Sequence, residues 1–449
     1  MLTAGYARVC ISPVAGMPLA GFAARAGVCE GVHDDLFARA LVLDNGRRAL
    51  ALVSLDLLAV PAAFVGRVRQ AIAARTILAP DAVMVSATHT HAAPVTISTF
   101  FNPGESLDPS YMDRLALAIE DSVAEAWAAR VPARVGAGTG SVEGVGVNRR
   151  SPDKRPIDPQ VGILRVDDDA GRPKAVVVNY ACHPTVLGPD NLLASGDFAA
   201  YMVARLESAL GGGFGMFING AQGDISMGHS SELSAIGVIT PGRTFDRAEQ
   251  LGVRLADAAL AALPGVATSP DIELDACVRP LDLVWKPLPR LDEAARALRD
   301  ANARLQSLLD AKAPDADIAR ARSERLYASI THFYAGEAQT CNGVPLSIAL
   351  QAFRIGDVAI VAVPAEVFVE IGLGVKTLVQ RPIWLAGITN GYIAYLPTRA
   401  AYAAGGYEVV SAKCAEDSAD RLAAGILGLE AHLFSLPVPS VVEGPGTDD

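Results

Sequence analysis

The chain has 449 residues, 51% of them hydrophobic and 19% charged, with a formal net charge of −11 at pH 7. That is enough apolar chain to bury a large core, as an enzyme-sized globular protein does. Acidic and basic residues are interspersed, so neither a nucleic-acid surface nor acidic substrates are expected, and no uninterrupted apolar run is long enough to span a membrane.

In chain order, the opening MLTAGYARVCISPVAG goes straight into strand-like alternation. It lacks the basic start and unbroken apolar segment of a secretory leader, so the expected compartment is the cytoplasm. The six cysteines are widely spaced, without a CxxC pair, and are expected to be reduced. Continuous Val/Ile/Ala-rich runs predict strands at 38–44, 49–60, 82–88, 175–182, 215–220, 358–364 and 383–389, of the kind found in sheets covered on both faces. Helical spacing lies between them at 62–75, 111–130, 198–210 and 245–263. The expected class is α/β, with mixed β-sheets layered with helices on the outer faces.

Residues 291–330 carry Leu at helical spacing and break once at Lys312-Ala-Pro-Asp. They predict an inserted helical hairpin, read as a solvated arm or a contact for a homo-oligomer. The Pro/Gly-rich, acidic stretch 435–449 is expected to fray, leaving 1–434 as a single catalytic domain.

The residues that follow the apolar strands form a pattern. After 82–88 come His89 and His91; after 175–182, His183; after 215–220, a stretch holding Asp224 and Ser226. After 358–364 comes Glu366, and after 383–389 come Tyr392 and Tyr395. Ligands bind beyond the carboxyl ends of strands in layered α/β folds, so these endings are expected to converge on a metal site there. Imidazole and carboxylate can hold a catalytic Zn²⁺ while leaving one position open. In an extended His-x-His the two side chains share a face, so one can bind metal while the other meets substrate or orients the first. Taken singly, each residue has a plainer reading: a hydrogen-bonded core histidine, a carboxylate at a helix start, a packed tyrosine.

The set His89-Thr-His91, Asn179-Tyr-Ala-Cys-His183-Pro, Gly223-Asp-Ile-Ser226, Pro364-Ala-Glu366 and Asn390-Gly-Tyr-Ile-Ala-Tyr395, in this order, resembles the catalytic domain of the neutral/alkaline non-lysosomal ceramidase family. The stretches from Gly31 to Asp44, Asn148-Arg149-Arg150, His183 to Leu193 and Gly405-Gly-Tyr-Glu408 are similar to its short bacterial members. The resemblance runs from about residue 3 to 430. It implies Zn²⁺ bound by His89, His183, Glu366 and Tyr395, with His91 beside the metal, Ser226 as the family's catalytic serine and Arg149 near that serine. It also implies hydrolysis of an N-acyl amide, with His91 and Tyr395 stabilising the oxyanion. Three departures weigh against ceramide itself as substrate: no counterpart of the family's C-terminal immunoglobulin-like domain is expected; Ala92-Ala93-Pro94 stands in place of Ser-Gly-Pro and Met227-Gly228-His229 in place of the Pro-Asn after the serine; and no secretion signal is expected. The alternatives are a zinc-dependent esterase or lactonase acting on a small metabolite, and a non-catalytic protein stapled by zinc.

Overall fold

The apolar runs pair into two sheets in a computed structural model of the chain, which describes residues 1–102, 107–150 and 156–435. The larger sheet is built from Thr3–Cys10 (β1), Phe37–Asp44 (β2), Ala49–Leu55 (β3), Val83–Ala87 (β4), Val131–Ser141 (β5), Gln160–Asp168 (β6), Pro173–Tyr180 (β7) and Phe214–Asn219 (β8). Its order is β8-β7-β6-β5-β1-β2-β3-β4. The outermost pairs, β7 with β8 and β3 with β4, are parallel, and the rest are antiparallel. The smaller sheet runs Leu274–Leu283 (β9), Leu346–Ile355 (β10), Val358–Ala362 (β11) and Ile383–Ala386 (β12), parallel only between β11 and β12.

The principal helices are Ala62–Arg75 (α1), Pro109–Ala128 (α2), Asp197–Ala209 (α3), Phe245–Ala262 (α4), Leu291–Asp310 (α5), Asp315–Cys341 (α6), Val369–Leu378 (α7) and Ser418–Phe434 (α8). One apolar cluster joins the sheets, placing Leu164, Val177 and Met216 with Phe353, Ile360 and Trp384. The approach is close enough that a Cβ on Gly162 would lie 2.7 Å from Trp384 Cε2. Helices α3 and α4 cover β6 to β8, while α7 and α8 cover the smaller sheet. Strands β4, β8 and β11 are buried on both faces, which is why their sequences are continuously apolar rather than alternating.

The hairpin differs from its expected form. α6 continues past 330 to Cys341 and stops at Asn342, which is left-handed at φ 47°. Its second half is not a free arm: Leu326, Ile330 and Tyr334 are buried, the Tyr334 hydroxyl donates to Ser411 O at 3.0 Å, and Tyr327 donates to Glu232 at 2.6 Å. The stretch expected to fray lies outside the described residues beyond Ser435. All six cysteines are free, and no helix among the described residues is long and apolar enough to cross a membrane.

Candidate metal centre

Four remote parts of the chain meet where the ends of the two sheets are tied together. Val85 N donates to Asn390 Oδ1, Ala87 N to Ile388 O and Asn390 N to Val85 O, so the loop after β12 is hooked onto β4. His89 and His91 follow β4, His183 follows β7, Glu366 follows β11, and Tyr392 and Tyr395 follow β12. Glu366 and Tyr395 are register partners in a short parallel pair.

The histidine pair does not converge as an extended His-x-His would. His89 is left-handed, at φ 72°, so the chain turns between the two rings and they meet edge to face with centroids 5.0 Å apart. Such a residue persists only where its surroundings hold it. Here His89 N donates to Leu57 O at 2.9 Å, and the ring Nδ1 to Leu58 O at 2.8 Å. His91 is set from the other side by Gly21, whose φ of 102° suits glycine and whose missing Cβ would lie 2.5 Å from His91 Cβ and Cγ.

Backbone carbonyls can only accept, so they assign the ring protons. His183 Nδ1 lies 2.7 Å from Gln222 O and 2.9 Å from Ile225 O, and therefore carries the hydrogen. Burial, and then Arg149, lowers the His183 imidazole to about 4, so the ring is neutral and Nε2 presents a lone pair. That lone pair faces Glu366 Oε2 at 2.9 Å. His89 Nε2 faces the same oxygen at 3.5 Å and has no hydrogen-bond partner among the described residues. Burial opposes ionisation of Glu366, yet the two imidazoles beside it hold its carboxyl well below the usual range. The carboxylate and two ring nitrogens thus converge on one point, where a shared cation can sit. The chemistry of the donors fits a zinc site. The second ring nitrogens are oriented by backbone carbonyls, as metal-bound histidines usually are.

His91 adds a third imidazole; the ligating atoms of His89, His91 and His183 all lie within 4.8 Å of one another. Both ring nitrogens of His91 lack hydrogen-bond partners among the described residues, and burial lowers its pKa well below the ordinary value. The two tyrosines divide. Tyr392 donates to Glu366 Oε1 at 2.6 Å, whereas Tyr395 accepts from Arg149 at 3.0 Å and stacks against His183 with centroids 6.5 Å apart. Burial, and then the charge of Glu366, raises both phenols well above the usual range.

Arg149 is buried, donating to Gly223 O and Tyr395 through one nitrogen and to Glu408 at 2.9 Å through Nε. Glu408 also binds Arg150 at 2.9 Å and accepts from Ser231 at 2.6 Å. It is the site residue that motif reading passed over: it stood in a quoted stretch with no role, and only its contacts reveal one. Ser226 stands apart. It is fully buried, its hydroxyl donates to His229 O at 3.1 Å, and no hydrogen bond among the described residues joins it to the imidazoles or to Arg149. The neighbouring Ile225 carbonyl makes the contact to His183. His229 is half-buried, lies 2.7 Å from Thr240 Oγ1, and lines a small cavity with His91, Arg149 and Tyr395. His33 stacks on Phe245 at 3.6 Å, as a structural histidine would. A cavity of about 290 Å³ opens beside His89, His91, Glu366, Tyr392 and Tyr395.

Residues 4–226 match the family model for the N-terminal part of neutral/alkaline non-lysosomal ceramidases. The neutral ceramidase of Pseudomonas aeruginosa is 26% identical over 84% of this chain, a match that spans 64% of that protein. Neutral ceramidase B of Dictyostelium discoideum is 28% identical over 46% of this chain and 33% of its own. The crystal structure of the Pseudomonas enzyme superposes on 98% of this chain and 75% of its own at a TM-score of 0.74 and 22% identity. A ceramidase complexed with C2 covers 98% and 76% at 0.73 and 20%. The fold is theirs, and the chain belongs to the neutral/alkaline non-lysosomal ceramidase family.

Proposed function

We propose that the chain is a zinc-dependent hydrolase of N-acyl amides. The observation that carries this reading is the convergence of His183 Nε2 and His89 Nε2 on Glu366 Oε2, at 2.9 and 3.5 Å. His89, His183, Glu366 and Tyr395 would hold the ion. When bound, Zn²⁺ polarises a carbonyl and lowers the pKa of its water toward neutrality.

The chain's own groups supply the rest. His91, neutral and with both ring nitrogens unpartnered among the described residues, can donate from one to a carbonyl oxygen and accept at the other. Arg149 donates to the Tyr395 oxygen, leaving the phenolic hydrogen to point at charge developing on the substrate. Fixed donors in a dry site need no reorganisation during reaction, which is the main source of their effect. The Ser226 hydroxyl is engaged with a backbone carbonyl, which supports a role in holding the loop that orients His183. We place the protein in the cytoplasm, a reading supported by its free cysteines.

The test is metal analysis of purified protein with a chelator-controlled screen of N-acyl amides and their ester isosteres. Stoichiometric zinc and chelator-sensitive amide cleavage are expected. Cleavage of esters alone would replace the amidase with an esterase, and activity indifferent to chelation would remove the metal from the reaction.

A further inference from the structure

We propose that the group held beside the metal centre is a compact acyl or aryl-acyl group, and that helix α6 of the inserted hairpin sets its length. The inference rests on the hydrolase reading for the position of the carbonyl, but not for the shape of the chamber. Ile97, Phe100, Phe101 and Phe333 form its apolar wall, Phe333 coming from α6. One turn further along, Glu337 lies on the same side of the helix and pairs with Lys413 at 2.8 Å. Both belong to the cavity lining, where Lys413 is the one lysine or arginine among the described residues. Tyr334, fully inside and bonded to Ser411, fixes this end of α6 in place.

One physical limit follows, from the lining of the cavity. A longer chain would have to lay methylenes against the Lys413–Glu337 pair, whose side chains keep 14% and 33% of their surface in water. That contact dehydrates charge without the gain of an apolar one. A chamber for a long alkyl chain would continue its apolar lining; this one changes to an ion pair.

The experiment is a series of amides of one amine carrying acetyl, butyryl, hexanoyl, octanoyl, lauroyl and palmitoyl groups, tested on the zinc-loaded protein. Binding of the corresponding free acids is measured in parallel by calorimetry. The kcat/KM is expected to peak at octanoyl or shorter and to fall by roughly 100-fold at palmitoyl, as the added methylenes dehydrate the Lys413–Glu337 pair. Phe333→Ala should move the optimum roughly two to four carbons longer, and Phe333→Trp should shorten it. The double variant Glu337→Leu, Lys413→Met, which removes the pair without stranding a charge, should raise palmitoyl turnover. If no amide is cleaved but the acids bind in the same length order, the hydrolase reading falls and this inference stands. A palmitoyl optimum, an optimum unmoved by both Phe333 variants, or acids that bind without length preference overturns it.

Discussion

Gly21 and Asp56 show how single residues set this site and its surroundings. A methyl at Gly21 would overlap His91, and the backbone there already favours glycine. Gly21→Ala is therefore expected to displace His91, and an angstrom-scale misplacement of a reacting group costs roughly 100-fold in rate. Zinc content and kcat/KM measured together decide what His91 does: activity should fall while zinc stays, and a matching loss of zinc would move His91 into the ligand set. Asp56 is a buried carboxyl whose pKa is pushed up to about 6 by desolvation, against the pull of Arg39 and the Phe37 N–H. Its folded pKa lies above the unfolded value near 3.9, so between about pH 4 and 6 the native state binds more protons. The destabilising cost of ionised Asp56 is thus full above about pH 6 and is relieved as pH falls toward 4. Asp56→Asn should be more stable than wild type at pH 7 by about 2 kcal/mol, with the gap closing near pH 4. Denaturant melts at the two pH values measure this, and a gap constant with pH would contradict it.

Among the elements, the strands buried on both faces could be read from their continuous apolar runs, and the four amphipathic helices from their period. β5 could not. Its sequence VPARVGAGTGS is glycine-rich because residues 262–268 lie flush across it: a Cβ at Gly136 would meet Ala267 O, and one at Gly138 would meet Val266. β9 is an edge strand carrying Pro280 and largely exposed, so neither apolar continuity nor clean alternation marks it. The same close packing predicts the cost of a substitution. Gly162 lies under the fully buried Trp384, where β6 of one sheet meets β12 of the other. Gly162→Ala should overpack that contact and destabilise the fold by about 1–3 kcal/mol. Trp384→Phe in the same chain should return part of the loss. Thermal melts of the single and double variants test it, and a fully additive double variant would mean the two side chains do not share the space.

Over the whole molecule, the site is the point where the two sheets are tied together. His89 and His183 come from the larger sheet, Glu366 and Tyr395 from the segments that follow strands of the smaller one. The sequence made these residues visible because each stands directly after an apolar run. Glu408 was not visible, since it lies on the short helix Tyr407–Val410 and acts only through arginines brought to it by folding. This placement makes metal binding a matter of global stability. An ion held from both sheets binds the native state and not the unfolded chain, so it stabilises by RT ln(1 + [L]/Kd), about 2.7 kcal/mol at a hundredfold excess over Kd. Chelation should therefore lower the melting temperature by several degrees, and added Zn²⁺ should restore it. His183→Ala should abolish the response to zinc, because the remaining donors no longer close the centre from both sheets. Ser226→Ala should melt lower than wild type yet still respond to zinc, since its hydroxyl braces the loop rather than meeting the donors. Calorimetric scans with and without chelator decide the point: a His183→Ala protein stabilised by zinc as fully as wild type would show that the cation binds elsewhere.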